Sequence, residues 1–529
     1  MSFPAASLAP WPAALVPGLR LLWARTLFPG RSDGEARPRA RSLLVLVALL
    51  VLPAVLLYPC LSFHLLEPDE SRYAEIPREM LQRGEWVVPY LQGEPYLDKP
   101  PLFYWLVMLS YRAFGYHDWA ARLVPALAVH GCVLLTYLLG RRGLGERSAF
   151  WGAAILAVAP AFAGMGRLLL LDGVLAFCLT LALLSLFEAL RGERLRWGWW
   201  LLSAAACGLG VLTKGPVALV LLAPPAWAYR RLSGSPWRLS WSAVAAYLAV
   251  VLAVALPWYV AVCVRLPQFA GYFLWHHNVV RFLQPFDHIQ PVWFYVPVVL
   301  FGLLPATLLL GPFVRFLISG DEALARRRPP ELGFLLLAGV WCVAFFSTSG
   351  SKLPTYVLPA FPPLALALGH FLTARGWHRQ RWPKVLGATA FAVMALAHLV
   401  ILPWYADQRA PMGRPDEVRA LCGDRGVPVI CFPRSCDSVG FYLGRDDLRS
   451  FREKQMVQLL DALHERPRTV VLCTHRHTLK GLRAALPADL YVAHEVHFGL
   501  SEGLTERLRT SMGETVLGLC DVVVIERRE

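Results

Sequence analysis

The sequence predicts a polytopic α-helical membrane protein of about eleven transmembrane helices (eleven to thirteen fit), with a small C-terminal α/β domain. Three observations predict it. First, 56% of the 529 residues are hydrophobic, 17% are charged, and the mean hydropathy is +0.46. A soluble chain carries about 25% charge, and so much apolar surface in a soluble fold would lie in exposed patches. Second, the long apolar runs end near residue 403. Third, the charge is sorted: residues 404–529 hold 18 Lys+Arg and 18 Asp+Glu, so the net +15 lies wholly within 1–403.

A membrane-spanning helix needs about 20 mostly apolar residues. Runs near 42–62, 119–139, 149–165, 173–190, 199–213, 215–229, 241–262, 291–311, 332–348, 354–374 and 383–403 meet or approach this. Lys and Arg accumulate on cytoplasmic loops. With a cytoplasmic N-terminus, the segments 1–41, 140–148, 191–198, 230–240, 312–331 and 375–382 (with Lys384) hold 23 Lys+Arg against seven Asp+Glu. The rest of 1–403 holds 11 against 12. This sorting predicts an odd number of spans in the inner (plasma) membrane. It places the first outer loop, 63–118, and the domain 404–529 outside the cytoplasm. Residues 1–41 read as a cytoplasmic leader: six arginines precede the first strong apolar run and no clean small-residue cleavage site follows. No nucleic-acid partner is expected, because the soluble domain contributes none of the positive charge.

The first outer loop carries two short amphipathic stretches. Residues 69–83 place acids first and bases later, which suits a helix dipole. Residues 102–114 are aromatic and apolar but too short to span, and Pro100-Pro101 suit a helix start. Both read as helices lying on the membrane surface. In the tail, the β-branched runs 427–432, 468–474, 490–498 and 521–527 alternate with helical spacing over 451–464 and 478–486. That pattern predicts an α/β domain of about 120 residues without a glycine-rich phosphate loop. The tail holds five cysteines, so a disulfide would leave one thiol over.

Ionisable residues near a bilayer tend to mark function. Asp69, Glu70, Arg72 and Glu75 stand at the mouth of the first span, and Asp98-Lys99 opens the second surface helix. Arg167 and Asp172 flank LLLL, and Lys214 sits in TKGP. His276, His277, Asn278, Arg281, Asp287 and His288 fall in 263–290, and Lys352 and Tyr356 in SGSKLPTY. Taken singly, each is an ordinary solvated charge. All of them share the outer face, where an acid with several cations suits a phosphate at headgroup depth. The adjacent His276 and His277 diverge by about 100° on a helix, which disfavours joint metal ligation. No Cys-x-x-Cys pair exists, so no zinc site is expected.

Several stretches together resemble the GT-C membrane glycosyltransferases. They are EPDESRYAEIPREM (67–80), GEWVVPYLQGEPYLDKPPLFYW (84–105), LLLLDGVLAF (168–177), LTKGP (212–216), HNVVRF (277–282), PVWFY (291–295) and FFSTSGSKLPTYVLPAFPPLALALG (345–369). The chain is similar to the bacterial branch that includes the 4-amino-4-deoxy-L-arabinose lipid A transferases, and more distantly to the dolichyl-phosphate-mannose protein O-mannosyltransferases. The resemblance covers roughly 40–400. It implies a sugar taken from a polyisoprenyl-phosphate carrier and passed, with inversion, to an extracytoplasmic acceptor such as lipid A, a glycan or a protein. It assigns catalytic roles to Asp69 and Asp172. It assigns the carrier phosphate to Arg72, Lys99, Arg281 and Tyr356, with Lys352 close by. Glu70, Tyr73, Asp98 and Asn278 are added as further substrate-binding candidates. Two positions depart from the arabinose branch: Asp98 stands where glutamate is common, and Asn278 stands at the aligned histidine, so no metal or other cofactor is assigned.

Under this reading the cations neutralise the leaving phosphate, and Asp69 takes a proton from a hydroxyl acceptor or orients an ionised one. A lipid-sugar flippase would place its charges near the bilayer midplane within repeated halves. Here they gather at one face and no internal repeat is visible. A scaffold for the tail would not require Asp69, Lys99, Asp172 and Lys352 on one side.

Overall fold

The structure, a computed structural model, describes residues 39–233, 239–284, 288–409, 415–473, 476–498 and 520–528. Most of the leader, and Asp287, lie outside the described residues.

After the apolar helix α1 (Arg39–Leu57) the loop 63–118 forms both expected helices, α2 (Asp69–Arg83) and α3 (Leu102–Phe114). Asp69 and Glu70 open α2 and Arg83 closes it, matching the helix dipole. Gly84, at φ +65°, ends α2 in the left-handed region, where its N–H reaches Leu81 O. Between the two helices a tight hairpin pairs β1 (Tyr90–Leu91) with β2 (Glu94–Pro95). Its turn, Gln92-Gly93, has both φ values positive, and the buried Glu79 carboxylate accepts both turn N–H groups at 2.6 and 3.1 Å.

Among the described residues, six helices are long and apolar enough to cross a membrane: α4 (Asp118–Leu144), α6 (Asp172–Leu190), α9 (Trp241–Arg265), Pro330–Thr348, Pro354–Ala374 and Trp382–Asp407. The pair Val292–Gly302 and Ala306–Ile318, bent by 103°, makes a seventh if it is one broken span. The chain is therefore a multi-pass membrane protein. The other four expected spans are helical but fall short of that length or hydropathy. The run 149–165 divides at Ala159-Pro160 into α5 (Glu146–Val158) and Pro160–Met165. Gly215, at φ +91°, and Pro216 separate α7 (Trp197–Lys214) from α8 (Val217–Leu232). Proline and left-handed glycine interrupt the helical ladder, so an apolar run read from sequence exceeds the helix it forms. Helices also meet through small residues: a Cβ on Gly369 would stand 2.3 Å from the backbone nitrogen of Gly152.

The loop is anchored by a buried ion pair. Arg122 of α4 donates to both oxygens of Glu70, at 2.9 and 2.8 Å, and to the carbonyls of Leu61, Phe63 and His64. Glu70 also accepts from Leu169 N at 2.7 Å and Leu66 N at 3.0 Å. Arg167, fully buried, caps the end of α1 through the carbonyls of Leu57, Pro59 and Cys60, and reaches His398 O at 2.8 Å.

The tail folds as a five-stranded mixed sheet in the order β4-β3-β5-β7-β6: β3 (Val429–Phe432), β4 (Arg449–Ser450), β5 (Arg468–Cys473), β6 (Leu490–Phe498) and β7 (Cys520–Arg527). β3 is parallel to β4 and β5, while β7 is antiparallel to β5 and β6. The central strands are buried on both faces: Val429 and Cys431 face one cluster, Ile430 and Phe432 the other. Cys422, Cys431 and Cys436 are buried together on the first of these faces. The four expected strands form within two residues of their expected bounds. The short helix α10 (Asp437–Leu443) was not expected, and it packs on α2.

Glu70→Ala is expected to destabilise the protein by about 3–5 kcal/mol, because Arg122 would remain buried without its counter-charge. A thermal unfolding midpoint in detergent equal to that of the wild type would contradict this.

Candidate active site

Neighbouring residues on a helix point about 100° apart. Glu70 therefore turns inward to Arg122 while Asp69 stays 57% exposed, with Arg72 Nη1 3.7 Å from its Oδ1. The Arg72 guanidinium lies over the Tyr96 ring, 5.9 Å from its centroid. Tyr73 is buried against Phe103 and Tyr104. Burial first, then Tyr96, Tyr104, Asp69 and Asp172, hold its hydroxyl well above the usual range, so it stays neutral near both acids.

A cavity of about 390 Å³ is lined by Asp98, Lys99, Lys214, His277, Asn278, Arg281 and Tyr356. Val217, Val220, Phe282, Phe345 and Phe346 form its apolar wall. Lys99 Nζ lies 2.9 Å from His277 Nε2 and 3.2 Å from Asp98 O. Burial lowers the Lys99 ammonium to about 8; Lys214 and Arg281 push the same way, Asp98 and Asp172 against it. Burial pushes the Asp98 carboxyl up, but Lys99, the Tyr272 hydroxyl at 2.6 Å and His277 outweigh it and hold the group below its ordinary value. Arg281 Nη1 approaches His277 Nε2 at 3.4 Å, and His277 Nδ1 is 4.0 Å from Asp98.

Lys214 ends α7 and Asp172 begins α6, and their side chains meet at 2.5 Å. The Lys214 ammonium also stands 4.0 Å from the centre of the Tyr356 ring. Asp172 thus reaches the cavity through Lys214. Three cations combined with aromatic and branched side chains in one lining suit an anionic group joined to a hydrocarbon tail.

Of the residues singled out in the sequence, Asp98, Lys99, Lys214, His277, Asn278, Arg281 and Tyr356 share this cavity. Asp69 and Arg72 form a separate pair on the loop helix. Glu70 is buried away from the cavity as a structural anchor, and Tyr73 belongs to the loop's apolar core. Lys352 is buried and donates to the carbonyls of Gln290 and Ser349, so it ties the loop after α9 to the turn before Tyr356. Two of the lining residues, Lys214 and His277, count in the sequence only among the gathered ionisable residues and receive there no substrate-binding role of their own. Lys214 is a charge isolated between two apolar runs, and His277 is one residue before Asn278. His277 sits between Lys99 and Arg281, and Asn278 Nδ2 donates to Phe273 O, so this surrounding does not fit a metal cation.

Residues 41–273 match the family model for dolichyl-phosphate-mannose-protein mannosyltransferase. An undecaprenyl phosphate-α-4-amino-4-deoxy-L-arabinose arabinosyl transferase of Pseudomonas fluorescens is 34% identical over 368 residues, 67% of this chain and 63% of the relative. Its namesake from Pseudomonas aeruginosa is 37% identical over 327 residues, 60% and 58% of the two chains. This chain is similar to these transferases over the matched stretches. It spans a little under two thirds of the length of these relatives. The fold agrees: the crystal structure of ArnT from Cupriavidus metallidurans bound to undecaprenyl phosphate superposes with a TM-score of 0.69 at 21% identity, covering 92% of this chain and 98% of that one.

Lys214→Met removes one charged contact from the cavity. Affinity for a polyisoprenyl monophosphate is expected to fall by about 1.5–3 kcal/mol, roughly 10–150-fold, in a binding titration.

Proposed function

We propose that this protein is an integral-membrane glycosyltransferase that moves a sugar from a polyisoprenyl-phosphate carrier to lipid A or another envelope acceptor by inverting displacement. The observation that carries the reading is the cavity whose lining combines Lys99, Lys214 and Arg281 with aromatic and branched side chains. A lipid phosphate carries both halves of that chemistry. The family model and the named relatives support the same class.

In this reading Lys99, Lys214, Arg281 and Tyr356 hold the carrier phosphate, and their fixed charges stabilise the negative charge that grows as the glycosidic bond breaks. A phosphate leaving group needs no protonation, so the carboxylates are free for the acceptor side. Asp69, exposed on the loop helix, takes the proton from a hydroxyl acceptor. Asp172, fixed by Lys214, positions acceptor or sugar. Arg72 steadies Asp69. Residues 42–403 are the membrane catalytic domain, with the first outer loop and 404–529 on the extracytoplasmic side of the inner membrane and the N-terminus in the cytoplasm.

The test is transfer from a panel of polyprenyl-phosphate sugars to lipid, glycan and protein acceptors in proteoliposomes. Asp69→Asn is expected to lose about 10²–10⁴-fold in turnover with carrier affinity retained. Transfer only to a protein acceptor would favour the mannosyltransferase-like alternative, and full activity in Asp69→Asn would end the assignment of that residue.

Lys99 also predicts a pH dependence. Its cation is present below about 8 and lost above it, so carrier affinity should fall as pH rises through that value. The inflection should be absent in Lys99→Gln, in titrations of affinity against pH.

A further inference from the structure

The tail meets the loop that carries Asp69 through a set of polar contacts that packing alone does not require. Glu67, two residues before Asp69, is the centre. Its Oε1 accepts from the backbone N–H of Ser438, at the start of α10, at 2.8 Å. Its Oε2 accepts from the hydroxyl of Ser71 in the first turn of α2, at 2.5 Å. One side chain therefore joins the first turns of both helices. On the hairpin side, Gln92 Oε1 accepts from Leu448 N at 3.2 Å, and its Nε2 faces Asp437 Oδ1 at 3.5 Å. On the far side, the Tyr442 hydroxyl accepts from Leu65 N at 3.1 Å and donates to Asp118 of α4 at 3.0 Å. Arg78 of α2 donates to Arg445 O at 3.1 Å. A Cβ on Gly440 would stand 2.8 Å from Gln92 Nε2, so helix and hairpin are in close contact there. The apolar part agrees: Phe441 belongs to the loop's core with Tyr111, Ile76 and Met80.

We propose that α10 is a positioning element of the active site, and that through Glu67 and Gln92 the C-terminal domain holds the first turn of α2, and with it Asp69 and Arg72, in the geometry needed for transfer. Glu67 and Gln92 are positioning residues: they act through α2, and neither lines the cavity. The proposal rests on the transferase reading. Its physical basis is that a reacting group displaced by about 1 Å costs about 10²-fold in rate, while affinity at a distant subsite is untouched. Because the Lys99 cavity holds the carrier on other elements, loss of the clasp should lower turnover and spare carrier binding. Burial first, and Asp437 second, push the Glu67 carboxyl up to about 7, so glutamine is a close copy of its protonated form and keeps the acceptor for Ser438.

The test uses the full-length protein in proteoliposomes with the polyprenyl-phosphate sugar that the wild type accepts. It reads kcat, donor KM and hydrogen exchange of the 69–75 amides. Glu67→Ala is expected to lower kcat about 10–100-fold, leave donor KM within about twofold and speed exchange at 69–75. Glu67→Gln should restore all three towards wild type. Gln92→Ala, which leaves the backbone contacts of the hairpin to Glu79 in place, should act in the same direction and serves if Glu67→Ala does not fold. Wild-type kcat in both alanine variants would overturn the proposal. So would a fall in kcat without faster exchange at 69–75, or a Glu67→Gln protein as impaired as Glu67→Ala. If the wild type transfers no sugar from the panel, the transferase reading fails on its own. The exchange measurement then still decides the clasp, and unchanged exchange in both alanine variants refutes it.

Discussion

The architecture of the loop 63–118 turns on one buried ion pair. Glu70 and Arg122 are both almost fully excluded from solvent, and a charge in that position is tolerated only when paired and hydrogen-bonded. The pair meets both conditions. Arg122 closes off the carbonyls that follow the first helix, and Glu70 takes the N–H of Leu169 just before Asp172. Three segments far apart in sequence, 61–70 and those around Arg122 and Leu169, are thus held to one point. Because Glu70 must face inward, Asp69 beside it must face outward, and Asp172 starts its helix a few residues beyond the same anchor. The two acids at the centre of the proposed chemistry are therefore placed by a residue that takes no part in it.

Around this anchor the site is assembled from helix ends. Lys214 closes one helix, Asp172 opens another, and Lys99 precedes a third. Helix ends are where polar groups can stand at the edge of an apolar bundle without breaking backbone hydrogen bonds. Burial above all, with Lys214 and Arg281 adding to it, depresses the Lys99 ammonium, and a bound phosphate would favour its charged form. Neutralising the bound anion is thus coupled to restoring the protonation of its own ligand.

Much of this was legible beforehand. The two surface helices follow from charge order and from prolines at a start, which are local signals. The tail strands follow from β-branched runs. The outer-face charges stand out because charge is costly beside apolar runs. Less legible were the span boundaries, since proline and glycine breaks shorten helices inside continuous apolar stretches. The roles of Glu70 and Lys352 were also hidden. A carboxylate that binds substrate and one that binds a buried arginine look the same in sequence, and the difference lies in Arg122, 52 residues away. The helix Asp437–Leu443 is seven residues long and contains Gly440, so neither length nor periodicity announced it.

Membrane character, the two helices of the loop 63–118 and the α/β tail follow from composition or from residues a few positions apart, so the amino-acid order alone carries them. Only the tertiary structure decided which of the outer charges share a cavity, which are consumed in buried pairs, and that the tail sits on the helix bearing Asp69. Those outcomes depend on pairings such as Lys214 with Asp172, Lys99 with His277 and Glu67 with Ser438. No local pattern encodes them, because the partners are brought together by packing elsewhere in the chain.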